Sequence, residues 1–221
     1  MVDSKPRMPV KAAPPLAAAL PLAALFGGLF LVWCLSVVWI RTLPPGDQWA
    51  RQIWPILLWI GAIALYIVWQ RPPQPACWLG LVPIDPPRIA IALAAFVGVF
   101  AWHAIRIQVG RPPSGLLYQL PPEIHVWIVA GVVVNALLFH GVLQTRLTEL
   151  AGSRLAIGVT GIAVTLFRVP SFFVGGGFGV EPGMLVIILF LALIAAILRD
   201  RSQSLWPAMA LAAGNAFGTL L

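Results

Sequence analysis

The residues best suited to chemistry sit in one apolar stretch, Val132 to Leu147, which reads VVVNALLFHGVLQTRL and carries Asn135 and His140 near its middle. An amide and an imidazole at membrane depth are costly, and they belong inside a helix bundle where partners can satisfy them. An imidazole there offers a general base or a metal ligand. Two further frames repeat the spacing, Phe167 with Ser171 and Leu211 with Asn215. Positions 136 and 140, 167 and 171, and 211 and 215 are each four apart, so each pair lies on one helix face. The expectation is that three such faces converge on one cavity.

The elements that must position these residues are spans of a membrane protein. The chain of 221 residues is 60% hydrophobic and only 10% charged, with mean hydropathy +0.94. That composition excludes an ordinary soluble domain. Ten tryptophans suit a protein with many bilayer interfaces. The net charge of +7 is spread over short loops, with no basic patch interleaved with aromatics, so nucleic acid is excluded as a partner. Cys34 and Cys77 stand alone and imply neither a disulfide framework nor a zinc site.

Residues 1–15 read as a disordered cytoplasmic tail. Hydropathy predicts about seven transmembrane helices, near Leu16–Ile40, Ile53–Trp69, Ile89–Ile105, Ile124–Leu147, Leu155–Phe173, Met184–Leu198 and Leu205–Leu221. Pro170 interrupts the fifth, and a glycine-rich loop, Gly175–Gly179, follows it. The first run is far longer than the roughly 7–15 apolar residues of a signal-peptide core, so it reads as an uncleaved span. With the N-terminus inside, nine basic residues fall inside: Lys5, Arg7, Lys11, Arg71, Arg88, Arg146, Arg154, Arg199 and Arg201. Five fall outside: Arg41, Arg51, Arg106, Arg111 and Arg168. This bias places the N-terminus in the cytoplasm and the C-terminus outside.

The run Asn135-Ala136-Leu137-Leu138-Phe139-His140-Gly141-Val142-Leu143-Gln144-Thr145-Arg146-Leu147 resembles the first motif of the CPBP family, intramembrane proteases of the CAAX-processing and bacteriocin-processing type. That motif is Glu-Glu-x-x-x-Arg, here replaced by Asn135, Ala136 and His140. The second family motif, Phe-x-x-x-His, matches at Phe167 and has Ser171 in place of histidine. The third, His-x-x-x-Asn after a Trp-Pro step, matches at Trp206-Pro207 and Asn215, with Leu211 in place of histidine. Trp78-Leu79-Gly80-Leu81 is similar to an element that often precedes the family core. The resemblance covers about residues 120–221. It implies an all-α polytopic protein with a CPBP-like helical core in that C-terminal half, residues 16–119 supplying N-terminal spans. It also implies a cavity in which a glutamate activates water while histidines bind the water or stabilise an oxyanion.

Here the chemistry fails residue by residue. Asn135 and Ala136 cannot accept a proton, Leu211 cannot bind water or metal, and Ser171 lacks an imidazole. A serine hydrolase using Ser171 with His140 as base lacks a Gly-x-Ser-x-Gly elbow. Ser171 follows Pro170 and can satisfy backbone groups that the proline frees. Glu123, with His125 close behind, stands at a helix start, where the dipole favours a carboxylate. His103, His125 and His140 have no His, Cys or carboxylate at ligand spacing, so no metal and no cofactor is expected. Arg168 either snorkels to the interface or reaches into the core to bond Asn135 or His140. Small residues in the last span, Ala212, Ala213, Gly214, Ala216 and Gly218, suit close helix packing, internal or with a foreign helix.

The expected function is that of a catalytically inactive member, a subunit, scaffold or assembly factor of a larger membrane complex. It would sit in a bacterial cytoplasmic (inner) membrane, with lipid and integral membrane proteins as partners. The alternatives are a divergent intramembrane protease or peptide-processing enzyme, and a binder of lipid, pigment or another small molecule in the vacated cavity.

Overall fold

The computed structural model describes residues 19–44, 47, 49–110, 112–174 and 182–221. The tail 1–15 and the glycine-rich loop 175–179 lie outside the described residues. The described residues are helical and form no strand. α1 spans Leu20–Thr42, and α2 spans Trp54–Gln70 after a π-helical turn, Trp49–Ile53. The short α3 (Pro75–Trp78) precedes α4 (Pro86–Gln108), and the short α5 (Leu116–Gln119) precedes α6 (Pro122–Ala136). A π-helical segment, Leu137–Leu143, leads into α7 (Gln144–Ala151). Then come α8 (Ser153–Arg168), α9 (Ser171–Val174), α10 (Pro182–Ser202) and α11 (Trp206–Gly218).

Proline and glycine set these boundaries. α1, α2, α4, α6 and α11 carry proline in their first turn, where the missing N–H costs nothing. The α4 start is also capped, because Asp85 accepts from the Arg88 backbone N–H at 2.9 Å. Gly152, at φ +85°, breaks α7 from α8. Gly80, also at +85°, closes α3: the Gly80 N–H donates to the Cys77 carbonyl and the Leu81 N–H to Ala76, both at 2.9 Å.

Among the described residues six runs are long and apolar enough to cross a membrane: Leu20–Thr42, Ala50–Gln70, Pro86–Gln108, Pro122–Ala151, Ser153–Phe173 and Gly183–Ser202. The expected seventh, α11, has 13 residues, about 20 Å at 1.5 Å per residue. Its flanks nevertheless reach both ends of α4. The Leu205 N–H donates to the Gly80 carbonyl at 2.9 Å, on the chain before α4. The Leu117 N–H donates to Leu220 at 2.9 Å and the Gly115 N–H to Leu221 at 3.0 Å, after α4. Residues 205–221 therefore run parallel to α4 from one of its ends to the other.

Two packing regions result. One is aromatic: Phe26, Phe30 and Trp33 of α1, Trp59 of α2, Phe139 of the π segment and Phe167 of α8. Phe139 and Phe167 stand edge to face at 5.1 Å, and the Trp33 indole N–H donates to the Phe167 carbonyl at 3.1 Å. The other is built on small residues, which let helices approach in lipid, where apolar burial alone does not drive association. Ala195, Ala208 and Leu211 pack together between α10, α11 and α4. A Cβ on Gly214 would lie 2.5 Å from the Phe96 carbonyl oxygen, and one on Gly161 would lie 2.7 Å from the Leu193 side chain.

Candidate functional site

The fourth span does not stay a plain α-helix. Seven residues, Leu137–Leu143, adopt the wider π form, a local distortion often found at functional positions. His140 lies within it and is 6% exposed. Gln144, four residues on and 3% exposed, donates through Nε2 to the Ala196 carbonyl of α10 at 2.7 Å. That leaves Gln144 Oε1 as the acceptor 3.0 Å from His140 Nδ1, so the imidazole carries its proton on Nδ1. The pair pins the π segment to α10. Gln144 is a core polar residue that motif matching passed over, although its spacing of four from His140 was readable.

The other histidines are also bonded internally. His103 on α4, 5% exposed, donates from Nε2 to Asn215 Oδ1 at 3.1 Å. His125 on α6 donates to the Leu117 carbonyl at 3.1 Å and stacks on Phe217 at 6.1 Å.

The three motif pairs do not gather round one cavity. Ala136 is 3% exposed and packs on Leu205 and Met209 of α11. Leu211, two residues beyond Met209, lies on another face of α11 against Ala195 and Ala208. Asn215 follows it towards α4. Phe167 is buried in the aromatic region, while Ser171, half-buried, opens α9 beside α1. Asn135 is half-buried, and neither it nor Ser171 makes a side-chain hydrogen bond among the described residues. Arg168 is exposed and bonds neither Asn135 nor His140. The shared-cavity expectation fails here because α11 turns its motif residues to α4 and α10 while α6 packs on a different face.

Two cavities among the described residues lie elsewhere. One of about 570 Å³ opens between α1 and α2, walled by Leu25, Gly28, Val32, Leu57, Gly61 and Leu65. A polar cleft of about 120 Å³ lies where α7 meets the end of α10, lined by Gln144, Thr145, Thr148, Glu149, Arg199 and Asp200. None of Asn135, Ala136, His140, Ser171, Leu211 and Asn215 lines either.

The described carboxylates sit at helix ends or in loops. Asp47 is in the loop after α1, Asp85 caps α4, and Glu123 is exposed in the first turn of α6. Glu149 pairs with Arg146 at 2.8 Å and accepts from the Trp78 indole at 2.7 Å. Asp200 accepts from the Ser153 hydroxyl.

Residues 118–217 match the family described as Type II CAAX prenyl endopeptidase Rce1-like. No curated protein and no solved structure matches the chain. The matched segment takes in α6, the π segment and α7 through α11, with all three motif frames, so this C-terminal part of a polytopic helical membrane protein is similar to the Rce1-like CAAX endopeptidases.

Proposed function

We propose that the protein is a catalytically inactive Rce1-like member that works by binding, as a subunit, scaffold or assembly factor of a larger membrane complex. The observation that carries this reading is the packing of Ala136. It stands where the family has its second glutamate, and it is buried against Leu205 and Met209. Water activation requires a proton acceptor within hydrogen-bond reach of the attacking water. His140, the one imidazole on the fourth span's core, keeps its Nε2 lone pair while Nδ1 donates to Gln144, but it is buried and lines neither cavity. The described carboxylates stand at helix ends or in loops, away from that position. A binding role is further supported by the cavity between α1 and α2, which lies outside the family segment and has no side chain within 4 Å of a Cβ built at Gly28 or Gly61. We place the protein in a bacterial cytoplasmic membrane with its N-terminus inside, on the distribution of basic residues.

Gentle solubilisation followed by mass spectrometry tests the binding role, and a stoichiometric integral membrane partner is the expected result. Peptide-cleavage assays on the wild type, Glu123→Gln and His140→Ala test inactivity. Turnover by the wild type that disappears in either variant at unchanged stability overturns the reading in favour of a divergent protease.

A further inference from the structure

The segment between α2 and α4 is held at more points than a connecting loop needs. Trp78 stacks on Tyr66 of α2 at 6.1 Å and donates to Glu149 of α7. Leu79 is 6% exposed, and its side chain would lie 3.1 Å from a Cβ on Gly141, so that glycine makes the notch it fills. Gly80 lies under the Arg199 guanidinium, which a Cβ would meet at 2.8 Å, and its carbonyl accepts from Leu205. Leu81 packs on the Ala136, Leu205 and Met209 cluster. The Val82 carbonyl accepts from the Trp206 indole at 3.0 Å.

Strain is concentrated at the same place. Among the described residues three non-glycine positions have positive φ: Arg71 at 45°, Gln74 at 50° and Gln203 at 51°. Arg71 and Gln74 lead into α3, and Gln203 lies in the α10–α11 turn, just before the Leu205 that grips Gly80. Such conformations cost on the order of 1 kcal/mol each and cluster at switch regions. Here they are spent on the closed state of one junction.

We propose that residues 75–82 form a hinged plug, which swings on the strained Arg71–Gln74 turn and in its closed position covers an apolar cleft made by Ala136, Leu137, Gly141 and Met209. Opening uncovers that cleft at the membrane face while the bundle stays folded. This closure does not depend on whether the chain cleaves peptides, and accessibility rather than activity reads it.

The test uses the full chain in detergent, with Cys34→Ser and Cys77→Ser as background. Single cysteines are placed at Met209→Cys, under the plug, and at Ala208→Cys, which faces α4 and α10 on the other side of α11. Modification rates with a small thiol reagent are compared. Gly80→Val puts a side chain into Arg199 and is expected to raise the 209-to-208 rate ratio about tenfold, an opening equilibrium shifted by about 1.4 kcal/mol. Gln74→Gly removes strain from the closed state and is expected to lower the ratio. Adding Arg199→Ala to Gly80→Val is expected to bring it part of the way down, since the clash goes while the strain of valine at φ +85° remains. A ratio that stays fixed across these variants, or two sites that become reactive together, means that the segment leaves only when the protein unfolds, and overturns the plug. If Gly80→Val does not fold, Gln74→Gly decides alone.

Discussion

His103 donates to Asn215 across 3.1 Å, so a residue outside the Rce1-like segment satisfies the asparagine of its third motif. The contact exists because Gly218 gives the ring room: a Cβ there would lie 2.6 Å from His103 Cδ2. Asn215 thus serves the α4–α11 seam rather than facing Ala136. His103→Ala leaves the half-buried amide short of a partner, at a cost near the low end of about 1–3 kcal/mol. In a double-mutant cycle with Asn215→Ala, measured by thermal melts in detergent, the coupling should be about 0.6 kcal/mol and below about 1.7, the range for hydrogen bonds within bilayers. Zero coupling would remove this bond from the account of the seam.

The two close glycine contacts should respond differently to alanine. At Gly214 the obstacle is the Phe96 backbone, which cannot move without shifting α4. At Gly161 it is the far end of Leu193, which can rotate. Overpacking a tight core costs about 1–3 kcal/mol. Gly214→Ala should fall at the top of that range and Gly161→Ala at the bottom, with Leu193→Ala rescuing only the second. Equal losses would show that the two seams yield alike.

The spans were legible because lipid demands continuous apolar runs, a signal that survives without any knowledge of packing. The predicted fourth run, Ile124–Leu147, and the observed Pro122–Ala151 differ only at their ends. The family frames were legible for a similar reason, since fixed spacing is a property of the chain. What could not be read was rotation about each helix axis. Leu211 and Met209 are two residues apart, yet one meets Ala195 and the other Ala136, and only the packed bundle decides which. The π form of Leu137–Leu143 was hidden as well, because a one-residue widening leaves the hydropathy pattern intact.

Gln144 holds two partners at once, so its removal should cost more than that of a singly bonded polar residue. Gln144→Leu strands the His140 Nδ1–H and takes a second donor from the Ala196 carbonyl, which keeps its bond within α10. The buried N–H left without a partner costs about 1–3 kcal/mol. The double variant Gln144→Leu/His140→Leu should recover most of that loss. Thermal stability in detergent measures both; a double variant no more stable than the single one would count against the relay.

On our reading of the basic residues the two ends lie on opposite sides. Residues 205–221 run the same way as α4, so their far end shares the side that α4 reaches at Gln108. Reporter fusions at both termini and in the Arg111–Gly115 loop should place the N-terminus in the cytoplasm and the other two positions outside. A C-terminal reporter on the side opposite to the 111–115 reporter would contradict the pairing of Leu220 with Leu117, whatever the overall orientation.

Putting the family's residues back should not restore a protease. Ala136→Glu places a carboxylate against Leu205 and Met209, and an unpaired ionisable group at the centre of a span costs about 2.5–3.5 kcal/mol on insertion scales. Leu211→His turns its imidazole towards Ala195 and Ala208, about 200° around α11 from Met209 at 100° per residue. Ser171→His starts from α9, beside α1. The four groups of Asn135→Glu, Ala136→Glu, Ser171→His and Leu211→His would therefore not meet around one water. General-base catalysis needs the acceptor within hydrogen-bond distance of that water. The combined variant should melt lower than the wild type and cleave no peptide. Cleavage by a variant whose melt is unchanged would mean that the helices rotate into the family arrangement, and would return this chain to the working proteases.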